Sequence, residues 1–216
     1  MKHCKKIISL LLVIPILVFT GCDLSFDPSA YVQASLDAIY KGDFTTYLEM
    51  VDISQEKAQQ NYEEGYKSEA DTFAQRYNIK SLSDGIREQI EQLYKYLYSK
   101  VDYTVGENQK TEDGYSVDVT IHPITFFTAE QQKVIDYSNQ FNADVLNGAY
   151  NDLPEQQFED VYALGLLDVF NADKENISYG DEQTLSINVQ KDEENNSYFI
   201  NTADLFKLQQ SVIVYS

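Results

Sequence analysis

The chain has 216 residues, with 35 acidic against 16 basic side chains and a formal net charge of −19. A surface this acidic repels nucleic-acid phosphates and anionic lipid headgroups, so binding to either through a basic patch is excluded. A hydrophobic fraction of 43% is that of a chain that folds.

The first element is an address. Lys2, Lys5 and Lys6 form a basic leader, and Ile7 to Phe19 is an apolar run too short to span a bilayer as a stable helix. Small residues then lead into a cysteine. The stretch Leu17-Val18-Phe19-Thr20-Gly21-Cys22 resembles the bacterial lipoprotein signal, although Phe19 stands where that pattern prefers leucine. The resemblance implies cleavage between Gly21 and Cys22, lipid attachment at Cys22, and anchoring on the extracytoplasmic face of the cell membrane. Two acyl chains on one residue suffice for a stable anchor, whereas one binds only marginally. An ordinary secretory signal or an uncleaved anchor is the competing reading. The expected organisation is a signal peptide over 1–21, a short tether over 22–28 reaching at most about 20 Å, and one domain over 29–216. Loss of Lys2, Lys5 and Lys6 leaves 13 basic against 35 acidic side chains, a net charge of −22.

Ser29 is positioned to cap a first helix carrying Val32, Leu36, Ile39 and Tyr40 on one stripe. Gly42 ends it, and Asp43 caps a short second helix with Phe44, Tyr47, Leu48 and Val51 inward. Ser54 opens a longer helix whose face is Ala58, Tyr62, Tyr66, Ala70, Phe73 and Tyr77, and Ser83 or Asp84 opens another with Ile86, Ile90, Leu93, Tyr94 and Leu97. The period then falls to 2. Val101, Tyr103 and Val105, a turn at Asp113-Gly114, then Tyr115, Val117, Val119 and Ile121 read as a hairpin ended by Pro123. Thr128 and Gln131 fit a capping box for a helix burying Val134, Phe141 and Val145, and Pro154 suits the first turn of one through Phe158, Val161, Tyr162, Val169 and Phe170. Leu185, Ile187 and Val189 form a further strand, followed by a loop over 192–196, a strand over 197–201, a helical turn after Asp204, and an apolar end at Val212 to Tyr215. Helices followed by hairpins predict an α+β class, with helices packed on one face of an antiparallel sheet of about four strands, as in cystatin-like or nuclear-transport-factor-like folds. No residue-level repeat accompanies the similar layout of the two halves.

The run from Tyr31 to Tyr47, Y-V-Q-A-S-L-D-A-I-Y-K-G-D-F-T-T-Y, resembles the opening of uncharacterised surface lipoproteins of Gram-positive bacteria grouped under a domain of unknown function. The shared features are structural: Leu36 and Tyr40 as core, Gly42 and Asp43 as a helix break and cap. The resemblance implies a cell-surface lipoprotein and carries over no catalytic residue.

Chemistry is sparse. Cys4 leaves with the signal and Cys22 is consumed by lipid, so no disulfide, thiolate metal site or catalytic cysteine remains. His122 is the one histidine left, which excludes a histidine metal cage; no metal or cofactor is expected. Asp192, Glu194 and Asn196 begin like an EF-hand loop, but Ser197 replaces the glycine and Ala203 the bidentate glutamate, and Asp173 with Glu175 fails likewise. The stripe of Tyr62, Tyr66, Phe73 and Tyr77 reads as helix core before partner face. By alternation, Ser116, Asp118, Thr120, His122, Thr184, Ser186, Asn188 and Gln190 point away from the core, with Tyr198 or Phe199 joining them. That face is polar and nearly uncharged. Thr120, His122, Ser186 and Asn188 are accordingly the candidate binding residues for a cell-wall glycan, peptide or envelope protein, weighed against an ordinary solvated sheet face. The expected function is a non-enzymatic binding module. The alternatives are an enzyme with a pocket using His122 or an unassigned carboxylate, and an accessory lipoprotein of a transporter. A buried titratable group in a pocket would favour the enzyme.

Overall fold

The computed structural model describes residues 26–215; the signal expected over 1–21 and the expected lipid-attachment residue Cys22 lie outside the described residues. The first helix, α1 (Pro28–Lys41), begins one residue before Ser29. Its cap is Asp27, whose carboxylate accepts from the backbone N–H groups of Ser29 at 3.0 Å and Ala30 at 3.1 Å. Pro28 follows at a position where a missing N–H costs nothing. Ser29, expected as the cap, instead donates through its hydroxyl to the Gly106 carbonyl at 2.9 Å and ties α1 to the sheet. Phe26 already stacks on Tyr198, ring centroids 4.2 Å apart, so packing starts within the stretch expected to be tether.

Gly42, at φ 65°, ends α1, and the Asp43 carboxylate accepts from Thr45 N–H ahead of α2 (Thr45–Met50). Ser54 caps α3 (Gln55–Arg76), and α4 (Asp84–Tyr98) returns beside it. Their facing stripes are core: Tyr66, Ala70, Phe73, Ile90, Leu93, Tyr94 and Leu97 are all buried. On the outside, Lys95 reaches Glu63 at 2.5 Å and Arg87 reaches Asp71 at 2.7 Å.

Strands β1 (Asp102–Lys110), β2 (Gly114–His122), β3 (Gln183–Asp192) and β4 (Ser197–Ile200) form an antiparallel meander in the order β1-β2-β3-β4. The register is set by alternation. Val117, Val119 and Ile121 of β2 and Ile187 and Val189 of β3 are buried under the helices, with α1 on β1 and β2 and α8 (Thr202–Val212) on β3. The opposite pleats are open or half-open. A bulge between Val105 and Asn108 lets β1 bend. The fold is therefore α+β, with a four-stranded open sheet and its apolar face covered.

Between the hairpins run α5 (Phe126–Ala129), α6 (Gln131–Leu146) and α7 (Glu155–Asp173). The capping box expected from Thr128 and Gln131 does not form. Phe126 and Phe127 are buried and pull an extra turn upstream, so Glu130, joining α5 to α6, is itself helical at φ −86° and ψ 0°. Thr128 donates instead to the Val214 carbonyl. The final helix is also longer than the expected turn: Asn201 caps it by accepting from Ala203 and Asp204 N–H, and Leu205, Leu208 and Val212 seat it on the core.

Helix α6 adheres to α7 through a separate aromatic group of Tyr137, Phe141, Tyr150, Phe158 and Tyr162. Tyr137 lies over Gly165 and donates to the carbonyls of Val161 at 3.2 Å and Tyr162 at 3.1 Å. A Cβ at Gly165 would stand 2.0 Å from Tyr137 Cζ. Gly165→Ala is therefore expected to displace that ring and cost about 1–3 kcal/mol by overpacking. Combined with Tyr137→Ala, the glycine change should cost much less; urea denaturation of the four proteins of the cycle measures this, and equal costs in both backgrounds would contradict the contact.

Candidate functional site

The four residues expected on the outer sheet face are indeed on neighbouring strands, and the structure pairs each of them. Thr120 Oγ1 is 3.0 Å from Thr184 Oγ1. Ser186 donates to Asp118. Asn188 gives both its side-chain and backbone N–H to Asp204 of α8, at 2.7 and 3.2 Å. His122 Nδ1 is 2.9 Å from Asp102, its partner across the ladder, and Nε2 is 3.8 Å from Glu182. The strand register thus supplies the orienting acid that sequence spacing could not name. It supplies no enclosure, since Asp102 and Glu182 are both exposed. Of the two aromatic residues considered for this face, Phe199 pairs with Gln190 and joins it, whereas Tyr198 is buried against Phe26. Asp192 is occupied by its own loop, accepting from Glu194 and Asn195 N–H, and Asp173 by Lys133 at 2.6 Å. Among the described residues no group of three or more His, Cys, Asp or Glu could hold a metal ion.

A second region was not expected. A cavity of about 360 Å³ lies between α3, α4, α8 and the C-terminal segment, lined by Glu69, Thr72, Arg76, Tyr98, Gln209 and Tyr215 among others. The segment is held there by Ile124, whose N–H donates to the Val212 carbonyl at 2.8 Å and whose carbonyl accepts from Val214 N–H at 2.9 Å. Tyr215 is thereby stacked on Phe127, with its hydroxyl 3.0 Å from that of Tyr94.

Glu69 is 3% exposed. Tyr98 donates to its Oε1 at 2.7 Å. Burial raises its pKa above the ordinary 4.5, and this outweighs the Tyr98 hydrogen bond and the Arg76 charge, which favour the carboxylate. Tyr94, Tyr98 and Tyr215 are pushed well above the ordinary phenol value, by burial first, and remain neutral donors. Gln209 is 4% exposed, and neither amide atom has a hydrogen-bond partner among the described residues. Each such group costs about 1–3 kcal/mol when left unmet. At the other wall the Arg76 guanidinium carbon lies 3.7 Å over the Tyr215 ring. The same two residues border a second space of about 200 Å³, lined also by Tyr77, Phe127, Gln131, Val134 and Ile135.

Sequence reading passed over Glu69 and Gln209, though a signal was present. Glu69 falls three residues after Tyr66 and four before Phe73, on the apolar stripe of α3; Gln209 falls four after Leu205 and three before Val212 on that of α8. A polar residue on a core stripe is the mark of a buried polar site. Arg76 gives no such signal.

No family model matches the chain, and no curated protein matches it significantly in sequence. In fold it is similar to the crystal structure of a "putative lipoprotein (ycdA)" from Bacillus subtilis, with a TM-score of 0.55 and 14% identity over 87% of this chain. The chain spans 56% of that protein's length. At this identity the likeness concerns the fold alone.

Because folding raises the Glu69 pKa, the folded state binds this proton more tightly than the unfolded chain. Its contribution favours the fold below pH 4.5 and is lost as pH rises through the raised value. Glu69→Gln keeps an acceptor for Tyr98 and removes the titration. The variant is expected to melt above the wild type at pH 7.5, with the gap closing toward pH 4.5; a variant less stable than wild type at pH 7.5 would mean that Glu69 is ionised and paired in the fold.

Proposed function

We propose that this protein is a lipoprotein of the cell envelope, anchored through lipid on Cys22, whose domain is a binding module for a small ligand taken up in the cavity between α3, α4 and α8. The observation that carries the reading is Gln209, a residue of the cavity lining whose buried amide is without partner among the described residues. A fold keeps such a cost where a ligand or water completes the pairing. The volume of about 360 Å³ lies in the range of small-molecule sites.

A buried titratable group at a cavity is also what an enzyme would present, and the chemistry around Glu69 argues for binding. Thr72 donates to the Ser68 carbonyl within α3, Tyr98 to Glu69, and the raised phenols yield no phenolate near neutral pH, so no hydroxyl there is activated as a nucleophile. His122 has its acid in Asp102 but stands on an open strand end without such a cavity around it. The outer sheet face, proposed from sequence for a glycan, peptide or envelope protein, has its polar groups satisfied by one another and gains less from a partner.

Anchoring at Cys22 is supported by the lipoprotein-like signal and by the description of the Bacillus subtilis fold neighbour. Cys22→Ala should abolish both incorporation of labelled palmitate and the lipoprotein-type processing at residue 22; a variant still labelled and starting at residue 22 would refute the anchor. For the cavity, a thermal-shift screen of small polar metabolites against the detergent-solubilised full chain should give ligands whose stabilisation is lost in Val214→Trp, which fills the lining. Ligands indifferent to Val214→Trp but sensitive to Thr120→Val or Ser186→Ala would move the site to the sheet.

A further inference from the structure

We infer that the cavity receives a small carboxylate that also carries an amide group, with Arg76 as the carboxylate anchor and Gln209 as the amide-pairing wall. The inference rests on the reading of the cavity as a small-molecule site, and three observations on its walls define the ligand.

The first is Arg76. The chain has an acidic excess of 35 to 16, and its other arginine, Arg87, has found Asp71 at 2.7 Å. Lys95 and Lys133 are likewise paired, with Glu63 and Asp173. Arg76, an exposed residue at the end of α3, makes no ion pair and no hydrogen bond among the described residues, and its guanidinium lies over the face of Tyr215. Contact with a ring leaves the five in-plane N–H donors of a guanidinium unused, and their fork matches a carboxylate with two parallel hydrogen bonds.

The second is charge. Among the described residues Glu69 is the only acid that lines the cavity, and burial favours its neutral form, so this lining carries the positive charge of Arg76 on a strongly acidic chain. An amine would have to ionise a desolvated carboxyl and sit near a guanidinium. An anion needs neither, and the neutral acid can donate to it.

The third is Gln209, which has an unmet N–H₂ donor and an unmet carbonyl acceptor. A single secondary amide satisfies one of each at once, which a hydroxyl or a second carboxylate does not do with the same geometry. The adjoining space beyond Arg76 and Tyr215, walled by Phe127, Val134 and Ile135, has room for a small apolar substituent. N-acylated amino acids and short peptides have this combination of groups.

The test is calorimetric titration of the detergent-solubilised full chain at pH 7 with N-acetyl-L-alanine, with N-acetyl-L-alaninamide, which lacks the carboxylate, and with propionate, which lacks the amide. Saturable binding of N-acetyl-L-alanine is expected, at least tenfold tighter than either analogue. Arg76→Gln should weaken it at least tenfold, with Arg76→Lys between the two. Gln209→Leu should remove the advantage over propionate while leaving propionate binding in place, and far-ultraviolet circular dichroism establishes that each variant is folded. Equal binding of the alaninamide, or affinity indifferent to Arg76→Gln, would overturn the carboxylate assignment; equal binding of propionate would overturn the amide. In those cases Val214→Trp still reports whether the cavity is the site. Absence of heat with all three, alongside cavity-dependent hits of another class in the thermal screen, would overturn the ligand class and leave the cavity reading standing.

Discussion

The constraint on which this fold turns is the burial of one carboxyl group, Glu69, among tyrosine rings. Tyr98 hydrogen-bonds it, Tyr40 stacks on Tyr98 at 5.6 Å, Tyr66 meets Tyr98 edge-on, and Tyr94 and Tyr215 join through their hydroxyls. These rings come from α1, α3, α4 and the C-terminal segment, so the helical layer meets around a polar centre. A chain without tryptophan and with 17 tyrosines can build such a centre because a phenol offers an apolar body and a polar tip in one residue. Leucine in place of Glu69 would pack the stripe of α3 at least as well. Its retention as an acid is understandable if the cavity beside it is used.

The sheet serves this arrangement indirectly. Pro123 cannot extend the ladder of β2, and the chain turns at Ile124 into a three-way junction. Ile124 bridges the C-terminal segment on one side and Tyr179 on the other, while Gly180 N–H donates to the Pro123 carbonyl. That junction fixes the strand end bearing His122 and also delivers Tyr215 to the cavity. The outer face carries its own polar pairs, of which Asn188 with Asp204 also closes the edge of β3 beyond the end of β4.

Most of the architecture was legible in the sequence, because the change of period from 3.6 to 2 occurs at Val101 and the turn residues Asp113-Gly114 are unambiguous. Helix termini were less so. Ser29 and Asp27 are both good caps, and only the proline between them favours the earlier start; the Thr128 capping pattern is overridden by burial of Phe126 and Phe127. The candidate site was legible in half. Alternation places Thr120, His122, Ser186 and Asn188 on one face, but their partners, Thr184 for Thr120, Asp102 and Glu182 for His122, Asp118 for Ser186 and Asp204 for Asn188, come from neighbouring strands, from the residue before β3 and from α8. The cavity was hidden because it is made by residues over 130 positions apart, Glu69 to Gln209, and because an exposed arginine such as Arg76 carries no pattern in the sequence.

The central physical claim is that burial in the fold favours the neutral form of Glu69 and raises its pKa. Carbon-13 NMR of the side-chain carboxyls, with the Glu69 signal assigned by its loss in Glu69→Gln, measures this directly across a pH titration. Burial among phenols predicts a carboxyl that stays protonated above the ordinary glutamate value of 4.5. A Glu69 signal that titrates at or below that value would contradict it.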